Sequence, residues 1–147
     1  MSLSPSLIKT QIDSTILFKS LPEPARAAIA KIARPRPFKE HDVLLEEGRV
    51  NNMLYLLVTG EVQVWTESDG VMVELKHLGP GDYFGEVGFL KGRSATATVE
   101  GTEPGTALTF HSAELAPILE KYPAVLKVLQ QLTIHRAMDT IEKLSGD

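Results

Sequence analysis

Apolar positions change their spacing twice along this chain, from helical to two-residue alternation and back. From Leu7 to Ala33 the spacing is helical. Ile8, Ile12, Ile16 and Leu17 predict one helix, and Ala25, Ala28, Ile29 and Ile32 predict a second, shorter one. The break falls at Leu21-Pro22, and the second helix has to stop before Pro35 and Pro37, whose missing amide donors forbid continuation. From Phe38 to Phe110 the period is two. Strand-sized runs there are separated by turn residues at Glu47-Gly48, Thr59-Gly60, Asp69-Gly70, Gly79-Pro80-Gly81-Asp82 and Pro104-Gly105. Met53 to Val58, then Val62 and Val64, then Val71, Val73 and Leu75 give short strands at regular spacing, the pattern of a sandwich, jelly roll or barrel.

The last segment is helical again. Ser112 is a predicted N-cap for a short stretch through Leu119, and Pro123 is a first-turn residue for a helix running without interruption to Leu144. At about 100° per residue, Val125, Val128, Leu129 and Leu132 fall on one side of that helix. Ile134, Ala137, Met138, Ile141 and Leu144 fall on nearly the opposite side. The first half is therefore expected to pack on the chain's own barrel and the second half on a second subunit, which predicts a homodimer through the C-terminal helix.

Composition narrows the chemistry. The 147 residues carry 15 Lys and Arg against 19 Asp and Glu, for a formal net charge of −4. A chain of this length buries roughly 70% of its unfolded surface and needs no disulfide or metal to hold a core. The negative balance argues against direct nucleic-acid binding, which depends on a concentrated Lys/Arg surface. With no cysteine in the chain, thiolate clusters, thiol catalysis and disulfides are excluded. His41, His77, His111 and His135 are isolated from one another, so no metal site is expected, and no Gly-x-Ser-x-Gly elbow suggests a serine nucleophile. The longest apolar run is Met53 to Val58 and the N-terminus has no basic stretch ahead of an apolar core, so a cytoplasmic, membrane-free protein without catalysis is expected.

The informative segment runs from Gly79 through Gly85-Glu86-Val87-Gly88 to Gly92, followed by Arg93-Ser94-Ala95-Thr96-Ala97-Thr98-Val99. Its order of turn, aromatic, Gly-Glu, short apolar stretch, glycine and small-residue strand resembles the phosphate-binding cassette of cyclic nucleotide-binding domains. That family includes the effector domain of the catabolite activator protein and the regulatory subunits of cyclic-AMP-dependent kinase. Phe18 with Leu21-Pro22, Leu44 to Gly48 and Met53 to Val62 are also similar to pieces of the family, and the likeness covers Phe18 to Leu144. It implies a mainly β fold with flanking helices: a double-stranded β-helix (jelly-roll) barrel, N-terminal helices and a long C-terminal helix. The whole of residues 1–147 would be a single domain, with N-terminal helices over 1–33, the barrel and its cassette over 34–111, and C-terminal helices over 112–147.

The resemblance also implies a ligand, a cyclic nucleotide such as cyclic AMP or cyclic GMP, and no other cofactor. Helix N-terminal amides and close backbone approach at Gly85 and Gly88 suit a cyclic phosphate. Phe84, Gly85, Glu86 and Val87 would form the cassette, with Glu86 accepting from a ribose hydroxyl, and Thr96 and Ala97 would leave room and offer a hydroxyl. Thr133, Arg136 and Thr140 on the C-terminal helix are candidates for touching the base. The family adds an arginine just before a Ser/Thr-Ala pair, which clamps the phosphate as a bidentate ion pair. Two registers compete. Matching Arg93 to that arginine leaves a short loop after Glu86; matching Thr96-Ala97-Thr98-Val99 to the family strand restores the usual spacing and puts Ala95 where the arginine belongs. The second register is preferred, with Arg93 as a possible surrogate. The expected function is a regulatory, ligand-sensing module that binds cyclic nucleotide weakly, the alternative being a degenerate module that works by dimerisation or partner docking alone.

Overall fold

The computed structural model describes residues 3–85 and 94–131. Two helices open the chain, α1 (Pro5–Ser14) and α2 (Glu23–Ile32). Six strands follow: β1 (Arg34–Phe38), β2 (Val43–Leu45), β3 (Met53–Ser68), β4 (Val71–Leu78), β5 (Tyr83–Phe84) and β6 (Thr98–His111). A third helix, α3 (Ser112–Leu119), comes next, and the chain is helical again over 123–131. All six strands join one antiparallel sheet in the order β1-β6-β3-β4, with β2 on β6 and β5 on β3.

The long strand β3 explains the continuous apolar run from Met53 to Val58. Leu54, Leu56 and Val58 face a cluster formed with α1, α2 and α3, which includes Ile12, Phe18, Ile29, Leu115 and Leu119. Tyr55 and Leu57 face the other way, into a cluster to which every strand contributes: Phe38, Leu44, Val64, Leu75, Phe84 and Val99 among them. A strand buried on both faces shows no polar alternation. The second cluster is the interior of the barrel, and the first is the seam between barrel and helices.

Two of the expected turns are not turns. Thr59-Gly60 lies inside β3 and Pro104-Gly105 inside β6, opposite each other, where the pairing register shifts repeatedly between Leu57 and Val62. Gly60 has φ +84°, and a Cβ there would lie 2.7 Å from the Cα of Gly105. The irregularity switches parity: Tyr55 and Leu57 point into the barrel before it, Val62 and Val64 after it. A bulge that adds one residue does this without ending the strand, and bends it as barrel closure requires. The Asp69-Gly70 turn is present, both residues having positive φ between β3 and β4, as a two-residue hairpin demands.

The helices also differ from expectation in detail. Ser4 caps α1 through a hydroxyl that accepts from the Leu7 amide at 3.1 Å, with Pro5 at the first position. The helix ends at Thr15, whose backbone is extended and whose hydroxyl accepts from Leu17 N at 3.3 Å. Ile16 and Leu17 therefore lie outside it, Ile16 exposed and Leu17 buried by the turns that follow. That local hydroxyl bond competes with the helical ladder. Phe18 then packs edge-on against Phe110 with centroids 5.5 Å apart. Pro35 and Pro37 end α2 but belong to β1, which among the described residues pairs only with β6, so their missing donors cost little on an edge strand. At the far end the N-cap of α3 is His111, not Ser112: β6 runs through His111, whose Nδ1 accepts from Ala113 N at 3.1 Å. In the following helical stretch Leu129 is buried and Val125 half-buried against the core, whereas Val128 is exposed. Leu132 and the second apolar face, Ile134 to Leu144, lie outside the described residues.

Candidate functional site

The entry to the cassette is held from three sides. The Gly79 to Asp82 turn is closed by Asp82 N donating to Gly79 O (3.0 Å) and Gly79 N donating to the Asp82 carboxylate (2.9 Å). Gly81 N and Leu57 N tie the same turn to β3, each bond 2.8 Å. Strand β5 then lays Phe84 flat on Tyr55, centroids 4.6 Å apart and rings within 8° of parallel. The Tyr55 hydroxyl donates to Leu44 O at 3.1 Å and accepts from Arg36 Nη1 at 3.0 Å. The Arg36 guanidinium also sits 5.8 Å from the Tyr55 ring centroid, within the range of a cation–π contact.

Gly85 follows with φ +86°, and a Cβ there would come within 2.6 Å of Met53 O and 3.0 Å of Asn51 Nδ2. Here glycine is required by both conformation and space. Asn51 is buried; its Nδ2 donates to Met53 O (2.8 Å) and to Gly85 O (3.0 Å), and its Oδ1 accepts from Met53 N (3.1 Å).

The exit is held by the same loop. Ser94 bridges Val50, Ala95 N donates to Arg49 O (2.8 Å), and Gly48 N donates to Ala95 O (2.9 Å). Ala95 is buried while Ser94 and Thr96 on either side are exposed. Ala97 packs against the barrel-interior cluster. Both backbone groups of residue 95 are thus committed to the 48–49 turn, and the position is filled by a methyl group. Glu47 anchors the loop in turn: its carboxylate accepts from the Thr66 hydroxyl (2.7 Å) and Glu67 N (3.1 Å), and its own N–H donates to Thr98 Oγ1 (3.0 Å).

Of the residues expected at the site, Phe84 and Ala97 pack in the barrel-interior cluster, Gly85 and Ala95 are buried and bonded to the loop at residues 48–51, and Thr96 presents an exposed side chain. Glu86, Val87, Arg93, Thr133, Arg136 and Thr140 lie outside the described residues. Asn51, Tyr55, Arg36 and Glu47 were not singled out from the sequence. Asn51 carries a faint signal there, an Asn just ahead of a strand; the others are legible only from the register of β1, β2 and β3. Among the described residues no three His, Asp or Glu side chains converge as a metal site would need. No helix among them is long and apolar enough to cross a membrane.

Comparison with known proteins agrees with this architecture. Residues 35–122 match the family described as the cyclic nucleotide-binding domain. A cAMP-dependent protein kinase regulatory subunit of Candida albicans is 31% identical over 111 residues, 76% of this chain and 24% of that protein. The chain spans only 24 to 32% of the length of this and two other curated relatives that it matches. Among solved structures, the regulatory domain of Toxoplasma gondii PKA in co-crystal with cAMP superposes with a TM-score of 0.77 at 23% identity, covering 95% of this chain and 55% of that one. The Thermus thermophilus catabolite activator protein superposes with a TM-score of 0.75 at 23% identity, covering 88% of this chain and 61% of that one. At that identity the two structures speak for the fold alone, whereas the match over residues 35–122 settles kinship: this chain belongs to the cyclic nucleotide-binding domain family.

Proposed function

We propose that residues 1–147 form one regulatory, non-catalytic module that takes a cyclic nucleotide, cyclic AMP or cyclic GMP, into its barrel and holds it weakly. The observation carrying this reading is Ala95. The position is buried, its backbone is fixed on the 48–49 turn, and it has no cation to offer a phosphate. Val64, Leu75 and Leu78 give that barrel an apolar interior. The anion is then left to backbone donors of the cassette and to whatever Arg93 contributes. Losing a charge-assisted bidentate contact costs about 1.5 to 3 kcal/mol, ten- to a hundredfold in affinity or more. A protein kinase regulatory subunit among the relatives supports a regulatory role rather than catalysis.

Signal output would run through the C-terminal helical segment, because a ligand moves an element only if the two positions differ in affinity for it. The sequence pattern supports a homodimer through the second half of that helix. Met138→Glu with Ile141→Glu is expected to give a folded monomer by light scattering, since the charges would be desolvated and unpaired at an interface. A parent that is already monomeric at high concentration contradicts the dimer. Ala95 also supports a second reading, a module that binds no nucleotide and works by docking alone. Glu86→Ala separates the two: it weakens binding only if a ribose hydroxyl is held there.

A further inference from the structure

We propose that Asn51 is a positioning residue for the ligand site, acting through the Gly85 carbonyl. The inference rests on the reading that this barrel takes a cyclic nucleotide. The segment over 86–93 is entered at Gly85 and left at Ser94, and both flanks are fastened to one loop, residues 46–52. On the exit side the fastening is backbone to backbone, through Gly48, Arg49 and Val50, and uses no side chain. On the entry side it is a single side-chain amide. Asn51 Nδ2 carries two hydrogens, and both are used, one on Met53 O and one on Gly85 O. Its Oδ1 is used by Met53 N. With the side chain buried and bonded at both ends, only the orientation that donates to the two carbonyls fits.

Chemistry excludes the near substitutes. Aspartate keeps the acceptor for Met53 N but turns the other oxygen, with no hydrogen, toward two carbonyl oxygens. Alanine leaves both carbonyls without this donor. Neither has to unfold the barrel, whose core is built from other residues. What each releases is the placement of Gly85, already forced into a left-handed conformation against Met53 O, and so the starting point of the cassette. The loop is otherwise stiff, because the Glu47 carboxylate ties it to Thr66 and Glu67. A displaced Gly85 is therefore not followed by the exit flank, and the two ends of the cassette lose their fixed separation. The same loop also holds α3, since Asn52 O accepts from Ser112 N at 2.8 Å.

The test uses the full chain carrying Ala95→Arg, in which binding is strongest on the reading above, with and without Asn51→Asp or Asn51→Ala. Cyclic AMP affinity is read by calorimetry, thermal midpoint by scanning, and amide exchange over residues 80–95 in the absence of ligand. The expected result is a loss of affinity of about tenfold or more for both variants, with faster exchange around Gly85. Asn51→Asp binding as tightly as its parent overturns the proposal, because that variant keeps the size and the Met53 N bond while its ionised carboxylate has no hydrogen for either carbonyl and adds a charge facing both. If Ala95→Arg itself binds no cyclic nucleotide, the ligand reading fails instead. The exchange data then decide for Asn51: unchanged protection at Gly85 in Asn51→Asp refutes its positioning role, and lost protection sustains it.

Discussion

Single residues decide the geometry at the cassette entry. Tyr55 is buried, stacked on Phe84 and bonded through its hydroxyl to both Leu44 O and Arg36. Tyr55→Phe keeps the stack and removes the hydroxyl, and is expected to cost about 1 to 2 kcal/mol in urea unfolding, with Arg36 losing one of its hydrogen-bond partners and keeping Leu44 O. A loss smaller than the error of the measurement would show that the hydroxyl network adds nothing. Gly85→Ala faces a harsher test, a Cβ 2.6 Å from Met53 O at φ +86°. It should destabilise by about 2 kcal/mol or more and weaken any ligand; a stable variant with unchanged affinity would mean that the backbone yields there freely. At this scale the sequence is most informative about glycines and least about Asn51 or Tyr55. A turn glycine advertises itself, whereas a buried amide acquires its role from a carbonyl 34 positions away in the chain.

At the scale of elements, the periods of the sequence locate the two helices and the β segment, and err where a strand bends. Thr59-Gly60 and Pro104-Gly105 carry turn residues because bulges need the same backbone freedom as turns. The parity of the flanking residues, odd at Tyr55 and Leu57 and even at Val62 and Val64, holds the correct answer: the strand continues and its faces exchange. Gly60→Ala is expected to lose about 2 to 4 kcal/mol, since its Cβ would meet Gly105, Pro104 and Glu103. A fully stable variant would show that the two backbones are not this close.

Between α1 and α2, Lys9 bonds Glu23 (2.6 Å) and Asp13 (3.0 Å), and Arg26 bonds Asp13 (2.8 Å) and Glu23 (2.7 Å). The hydrogen bond from Lys9, reinforced by Arg26, holds the Asp13 and Glu23 carboxyls below their usual range. Its bonds to Glu23 and Asp13 hold Lys9 above its own, and bonds to Asp13 and Glu23 do the same for Arg26. A lowered carboxyl stabilises the fold above its unfolded pKa, and that stability is lost as pH falls through the folded value. A raised lysine stabilises below its unfolded pKa and loses this as pH rises through the folded value. The melting difference between the parent and Asp13→Asn with Glu23→Gln should therefore be flat from about pH 6 to 9 and shrink below about pH 4. It should also shrink in about 1 M salt, where the screening length is about 3 Å. A difference that persists at low pH would assign it to packing instead.

At the scale of the molecule, one sheet separates two apolar clusters, one shared with the helices and one lining the barrel, and Phe84, just before the cassette, belongs to the second. That plan follows from a strand apolar on both faces combined with helical segments at each end, which is why the family likeness is readable from residue types in order. Ligand affinity is less readable, because on the proposed function it turns on which residue stands at one position. Backbone bonds of Ala95 to Gly48 and Arg49 fix that position in the structure. Calorimetric titration of cyclic AMP and cyclic GMP into the parent chain and into Ala95→Arg tests this most directly. Weak or unmeasurable binding by the parent, with a gain of about one to two orders of magnitude in Ala95→Arg, is the predicted result. Submicromolar binding by the parent, lost in Arg93→Ala and not improved in Ala95→Arg, would contradict it.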